Sequence, residues 1–399
     1  MSSVPTPHAA HDAGALVIIG AGLAGWTTAR EFRKLDTSTP IVLVTSDSGD
    51  FYAKPTLSNA CAQKRSADQL VTTPAAKMAQ TLNVTLRAHS QVRSIHTSAK
   101  SLAFNDADGA THTQPYAQLI LATGAHPIRV ALQGDASADV QSINQLTDLA
   151  HFQHTLGAAP KTVLIMGAGL IGCEFANDLL LGGYRVHVVD PTERPLAALL
   201  PPAAGEQLRL ALQALGVVWH FGTGTRSVDR DGAGLKVTLE NGTAISADIV
   251  LSAVGLKPRT ALAQAAGLKV NRGIVVNRNL QTSDADIYAL GDCMEIENLV
   301  MPYVMPIMHA ARALGATLGG KPTLVSFPAM PVMVKTPACP TIVSPPAPGA
   351  AGEWQVEATA AGVKSLFVDA SGKLLGFALN GAATAERAKL APLLPPVLP

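Results

Sequence analysis

Cysteine is scarce in this chain. Its 399 residues include only four (Cys61, Cys173, Cys293, Cys339), widely scattered and with no Cys-x-x-Cys or Cys-x4-Cys pair. That excludes a disulfide framework, a cysteine-held iron–sulfur centre and the paired-thiol centre of a disulfide reductase. Cys61 remains a candidate lone redox thiol, although a small buried apolar residue is the plainer reading. An excess of charge of one sign is also missing. Formal net charge is +1, so no global field draws the chain toward nucleic acid or a membrane, and an electrostatic partner must be met by a local patch. Long apolar runs are absent as well. The nearly uncharged stretch Ala13–Ala29 follows His8, His11 and Asp12 rather than Lys or Arg. It also holds a glycine motif, so it reads as neither signal peptide nor membrane anchor. The expectation is a cytoplasmic protein with no resident metal, no membrane association and no nucleic-acid partner, and with residues 1–13 as a loose tail. At 48% hydrophobic and 15% charged, the composition is that of an ordinary globular protein with room for two or three domains.

What the chain does have is glycine in one arrangement, twice. Gly20-Ala21-Gly22-Leu23-Ala24-Gly25 follows the apolar run Leu16–Ile19, and Gly167-Ala168-Gly169-Leu170-Ile171-Gly172 follows Val163–Met166. In such a fingerprint the first glycine permits the strand-to-helix turn and the second lets the backbone approach a pyrophosphate. The third lets the helix pack close to its strand, with the phosphate at the helix N-terminus. One copy is a weak signal. Two copies, each after a buried-strand run and each opening a helix, imply two dinucleotides bound at once. That combination suggests a flavin relaying electrons from a nicotinamide.

The surrounding segments give the fold class as α/β. A strand at Leu16–Gly20, a helix to about Leu35 and a strand at 40–45 make one βαβ unit. A second unit runs from Thr162 through a helix to about Leu181, stops at Gly182-Gly183 and continues in the strand 185–189. It closes with the alternating segment Leu235–Leu239, an Asn241-Gly242 turn and the strand 248–252. A helix is expected from Met308 to about Leu318. From about residue 323 prolines multiply among short β-prone pieces, which points to a small C-terminal α+β domain.

With these segments in place, the chain resembles the flavoprotein reductases with two dinucleotide-binding domains, and among them the rubredoxin–NAD reductases. The likeness covers roughly residues 15 to 345. It rests on the two fingerprints, on Leu119–Gly124, Ala253-Val254-Gly255 and Thr282–Asp292, and on the more specific Tyr52-Ala53-Lys54-Pro55, Gly169–Asp178, Tyr303–Pro306 and Val334–Pro340. The resemblance implies two Rossmann-like domains plus the C-terminal one. FAD would belong to 14–120 and 248–322, NAD to 121–247, and the C-terminal domain would occupy 323–399. It implies electron flow from NADH through FAD to rubredoxin, a small acidic iron protein, in alkane hydroxylation or in oxygen or peroxide detoxification. A ferredoxin reductase, an NADH oxidase or peroxidase using Cys61, and a non-catalytic flavin-binding signalling protein are the competing readings.

The same resemblance distributes the site. FAD would be held by Gly20, Gly22, Leu23, Ala24, Gly25, Val92, Thr123, Gly124, Asp292 and Val304. Its ribose would meet Thr45, Ser46 or Asp47, because the acidic residue usual at the end of the second strand is displaced. Gly291-Asp292 puts a carboxylate after an apolar strand, suited to accept hydrogen bonds from ribityl hydroxyls; helix capping is the structural alternative. Lys54 and Glu174 would form the catalytic pair against the flavin, the lysine favouring electron density on the ring and the glutamate keeping the lysine ionised. Lys335 would reach the flavin from the C-terminal domain. NAD would be held by Gly167, Gly169, Leu170, Ile171, Gly172 and Gly255. Asp190 would bind the adenosine ribose and so favour NADH over NADPH, with Arg194 as the nearby residue that could accept a 2′-phosphate. Arg30, Arg33 and Lys34 share a helix face and offer a basic patch for an acidic partner.

Overall fold

The computed structural model describes residues 14–157 and 159–399, so the expected loose tail at 1–13 lies outside the described residues. The chain divides into two compact units. The first contains the segment ending at Ala53 together with Val71–His126 and Lys257–Phe327. The second contains Lys54–Leu70, Pro127–Leu256 and Pro328–Pro399.

The first unit is built on a five-stranded parallel sheet. Its order is Ile287–Ala289, Gln118–Leu121, Leu16–Ile19, Ile41–Val44 and Val84–Arg87. The inner strands are continuous apolar runs, Leu-Val-Ile-Ile and Ile-Val-Leu-Val, with every residue buried. Interior strands of a parallel sheet are covered on both faces and so lack polar alternation. Register is in step across the centre, Leu16 pairing with Ile41 on one side and Gln118 on the other. The helix Leu23–Arg33 ends two residues short of the expected Leu35, which is 61% exposed. It packs on the helix Val304–Leu318, which begins four residues earlier than the sequence suggests. Gly315 makes that packing possible: a Cβ there would lie 2.9 Å from Glu31 Cβ and 3.1 Å from the Phe32 nitrogen. A three-stranded antiparallel sheet (Gln91–His96, Ser101–Asn105, Thr111–Pro115) completes this unit's main elements.

In the second unit a four-stranded parallel sheet runs in the order Val218–Phe221, Arg185–Asp190, Thr162–Met166 and Ile249–Ser252. The helix Leu170–Leu181 follows its fingerprint strand, and Pro202–Leu215 is the next long helix. The antiparallel strands Thr225–Asp231, Gly234–Leu239 and Ala244–Ala247 share an apolar core with the parallel sheet through Val228, Val237, Leu164 and Val250. The C-terminal part is a five-stranded antiparallel sheet, with Val332–Val334, Thr341–Ser344, Leu374–Asn380, Gly362–Val368 and Glu353–Thr359 in that order. Its helical content is limited to short pieces such as Arg387–Leu390. The proline-rich sequence thus yields mostly strands, joined by turns where the prolines sit. Among the described residues no helix is long and apolar enough to cross a membrane. No group of three or more His, Cys, Asp or Glu side chains among them is placed to hold a metal.

Candidate functional site

Each unit carries one glycine fingerprint, and the two cradles match position by position. Gly20 has φ +109, and a Cβ there would sit 2.3 Å from the Ala122 carbonyl oxygen. Gly167, at φ +103, would meet the Ala253 oxygen at 2.7 Å. Gly25 and Gly172 would each drive a Cβ to 1.9 Å from the carbonyl of their own first glycine. These four are glycine because the protein is in the way. The middle glycines differ: a Cβ on Gly22 or Gly169 would meet nothing within 4 Å. Their backbone is extended (φ −74, ψ −171 and φ −75, ψ −169), which any residue can adopt. Neither backbone geometry nor protein packing explains glycine there, whereas close approach of a phosphate does.

Both glycines are also N-caps without a side-chain cap, and neither helix has an acidic residue in its first turn. The first amides of Leu23–Arg33 and Leu170–Leu181 are therefore left to an external acceptor. The residues present fit a dinucleotide pyrophosphate in each unit.

Of the other residues expected to hold FAD, Thr45, Ser46, Val92, Thr123, Gly124, Asp292 and Val304 belong to the first unit, whereas Lys54, Glu174 and Lys335 belong to the second. Thr45 follows the strand Ile41–Val44, and its hydroxyl donates to Asp47 Oδ1 at 2.7 Å, an oxygen that also accepts the Gly49 N–H at 3.0 Å. Two of the three ribose candidates, Thr45 and Asp47, are thus hydrogen-bonded within their own loop; Thr45 is buried, whereas Ser46 and Asp47 are both exposed. Val92 is buried in the strand Gln91–His96, opposite Phe104. The Thr123 hydroxyl donates to the Arg259 carbonyl at 3.1 Å, and Gly124 has φ +68. Asp292 follows Gly291 (φ +80) at the end of the strand Ile287–Ala289, and Val304 opens its helix at 37% exposure.

Around the second cradle Asp190 binds the fingerprint loop itself. Oδ2 accepts the Ala168 N–H at 2.6 Å, and Oδ1 accepts the Thr192 N–H at 2.8 Å and its hydroxyl at 2.5 Å. Arg194 turns inward: a Cβ on Gly205 would lie 2.9 Å from its Cδ, and its Nε is buried without a hydrogen-bond partner. Gly255 has φ +121, and its carbonyl accepts the Ile128 N–H at 3.0 Å.

A buried polar cluster lies one turn further along the second fingerprint helix. Glu174 is 4% exposed and forms an ion pair with Lys335 through Oε2, while Oε1 accepts the Lys335 backbone N–H at 3.0 Å. Lys335 Nζ also donates to Ser58 Oγ at 2.7 Å, and Ser58 Oγ donates to Glu174 Oε2 at 2.7 Å. Lys54 Nζ donates to Asn144 Oδ1 at 3.3 Å. The next turn continues the pattern. Asn177 Oδ1 accepts the Ala338 N–H at 3.1 Å, and the two oxygens of Asp178 accept the N–H groups of Cys61 and Ala62 at 3.0 and 2.9 Å. One buried helix face therefore gathers the segments around residues 54–62 and 335–338. Ser58 escapes sequence reasoning; its only signal is its place in the Lys54–Ser58 run.

Two expectations meet a structural answer. Burial, with Asp178 alongside, pushes the Cys61 thiol up to about 12, which leaves it protonated and unfit as a lone redox centre. Arg33 is no free member of a basic patch. Its guanidinium donates to the carbonyls of Leu82, Asp36, Thr39 and Asn83 at 2.8–3.0 Å, tying the helix end to neighbouring loops. Lys34 pairs with Glu31, and Arg30 lies 5.3 Å over the Phe51 ring.

Comparison with known proteins agrees with this geometry. The family profile for pyridine nucleotide-disulphide oxidoreductases matches residues 14–315, and that for the rubredoxin-binding C-terminal domain matches 324–394. The chain is 46% identical over 385 residues to a rubredoxin-NAD(+) reductase of Alcanivorax borkumensis, covering 96% of this chain and 99% of the relative. It is 42% identical to a protein of the same name from Acinetobacter baylyi, with coverages of 96% and 98%. Among solved structures it is similar to the ferredoxin reductase of the CYP199A2 system of Rhodopseudomonas palustris. That match has a TM-score of 0.85 at 26% identity, over 96% of each chain.

Proposed function

Because the chain belongs to the pyridine nucleotide-disulphide oxidoreductases, and within them to the rubredoxin–NAD(+) reductases, we infer that it passes electrons from NADH through FAD to rubredoxin. The balanced reaction is NADH + 2 oxidised rubredoxin → NAD⁺ + 2 reduced rubredoxin + H⁺. The observation that carries it is the paired cradle, with one open middle glycine per unit, in a chain that ends in a rubredoxin-binding domain. We put the reaction in the cytoplasm, where NADH is supplied.

FAD, when bound, supplies the conversion of a two-electron hydride donation into single-electron release. The chain's own residues bind, orient and set charge. Gly22 and the amides at the start of Leu23–Arg33 take the FAD pyrophosphate; Gly169 and the amides at the start of Leu170–Leu181 take that of NADH. Asp292 accepts hydrogen bonds from ribityl hydroxyls. Asp190 sets the preference for NADH: its carboxylate disfavours a 2′-phosphate, and Arg194 is turned toward Gly205. Lys54 and Lys335 serve the flavin ring by favouring electron density there, with Glu174 holding Lys335. No side chain needs to act as a general acid or base.

Anaerobic stopped-flow tests this reading. The flavin is first bleached with NADH, then mixed with rubredoxin, ferredoxin or oxygen. Reoxidation should be fastest with rubredoxin. If rubredoxin brings no acceleration, the assigned acceptor is wrong while the flavoprotein class stands.

A further inference from the structure

We propose that Ser58 is a positioning residue that fixes the direction of the Lys335 ammonium by closing a three-membered hydrogen-bonded ring with Glu174. The direction of every bond in that ring is forced by chemistry. An ammonium has no acceptor and an ionised carboxylate has no donor, so Lys335 must donate to both partners and Ser58 must donate to Glu174. The hydroxyl's single hydrogen has two acceptors in reach: Glu174 Oε2 at 2.7 Å and the Pro55 carbonyl at 3.3 Å. The shorter, charge-assisted bond wins. That leaves an oxygen lone pair for Lys335 Nζ, also at 2.7 Å.

The setting favours a positioning role over a surface contact. Ser58 and Glu174 are each 4% exposed, whereas the Lys335 side chain keeps 23% of its surface. The two buried groups are fixed and the lysine is the member able to swing. Glu174 alone holds it through one oxygen, about which a flexible four-carbon stem can rotate; a second acceptor removes that freedom. Ser58 sits where the short helix Lys54–Asn59 kinks (φ −89, ψ 21), a local turn that carries its hydroxyl toward the pair.

The importance of the lysine's direction rests on the reading of Lys335 as a flavin-side group, but the ring itself can be tested without it. The full-length protein as purified is pulse-labelled with acetic anhydride. Acetylation of Lys335 is read by mass spectrometry relative to Lys161 of the same unit, which donates to the Thr155 carbonyl. In Ser58→Ala the Lys335/Lys161 ratio should rise at least threefold, and a smaller rise overturns the proposal. General loosening would raise both lysines together and leave the ratio flat. Should Ser58→Ala fail to fold, Ser58→Cys, similar in shape but a far weaker hydrogen-bonder, is read by the same criterion. The labelling uses neither NADH nor rubredoxin, so even a chain that fails to reduce rubredoxin would show whether Ser58 holds the lysine.

Discussion

Replacing Gly22 and Gly20 by alanine, separately, should split binding from folding. At Gly22 the backbone is extended and an added methyl meets nothing within 4 Å. The flavin-free protein should therefore keep its stability within about 0.5 kcal/mol. The same methyl stands where a pyrophosphate must approach. Loss of even one amide–phosphate hydrogen bond costs about 1.5–3 kcal/mol, or roughly ten- to a hundredfold in affinity. At Gly20 the order reverses. Its φ of +109 is closed to L side chains, and the methyl would lie 2.3 Å from the Ala122 carbonyl oxygen. Strain and overpacking together should cost about 3 kcal/mol, which lowers the melting temperature of a unit this size by roughly 5–10 °C. Melting of flavin-free protein and titration with FAD, followed by flavin fluorescence, measure the two effects. If Gly22→Ala melts as low as Gly20→Ala, or binds FAD with unchanged affinity, the reasoning fails. Gly169→Ala and Gly167→Ala should repeat the split for NADH.

Other outcomes follow from single side chains. Cys61→Ser should leave rubredoxin reduction within twofold of the unsubstituted rate, because a thiol pushed up to about 12 is protonated at any working pH; a collapse of turnover would restore the thiol to the mechanism. Arg33→Met should cost about 1–3 kcal/mol in urea unfolding, since four backbone carbonyls lose their donor. It should leave the salt dependence of rubredoxin turnover unchanged, and a flattened salt dependence would reinstate Arg33 in docking. Burial raises the Asp178 carboxyl above its ordinary 3.8. With the folded value above the unfolded one, stability declines as pH rises through that window and is unaffected below it. The melting difference between Asp178→Asn and the unsubstituted chain should therefore move in the variant's favour as pH rises above the ordinary carboxylate value. A shift the other way would mean that the bonds from Cys61 and Ala62 outweigh burial.

The cradles are legible in the sequence because enough of their requirements are local, even though the carbonyls facing Gly20 and Gly167 come from Ala122 and Ala253. Positive φ at Gly20 and Gly167, and the short path from strand to helix, involve residues only a few positions apart. The parallel strands are legible for a related reason, since burial on both faces leaves unbroken apolar runs such as Leu16–Ile19. The charged cluster is different. Glu174 and Lys335 stand 161 positions apart and Ser58 another 116 from Glu174, so no spacing rule links them. Arg33 misleads for the same reason, because its helical spacing suggests a solvated face whereas the carbonyls it binds include Leu82 and Asn83, reached only through tertiary folding.

The parallel sheet of the first unit has a bearing on biosynthesis. Its strand Gln118–Leu121 is flanked by Ile287–Ala289, and the helix that seats on Leu23–Arg33 through Gly315 ends at Leu318. A nascent chain leaving the ribosome must therefore deliver the whole of Pro127–Leu256 before that sheet can gain its last strand. During that interval the edge of Gln118–Leu121 that will pair with Ile287–Ala289 stays unpaired and open to a chaperone that shields strand edges.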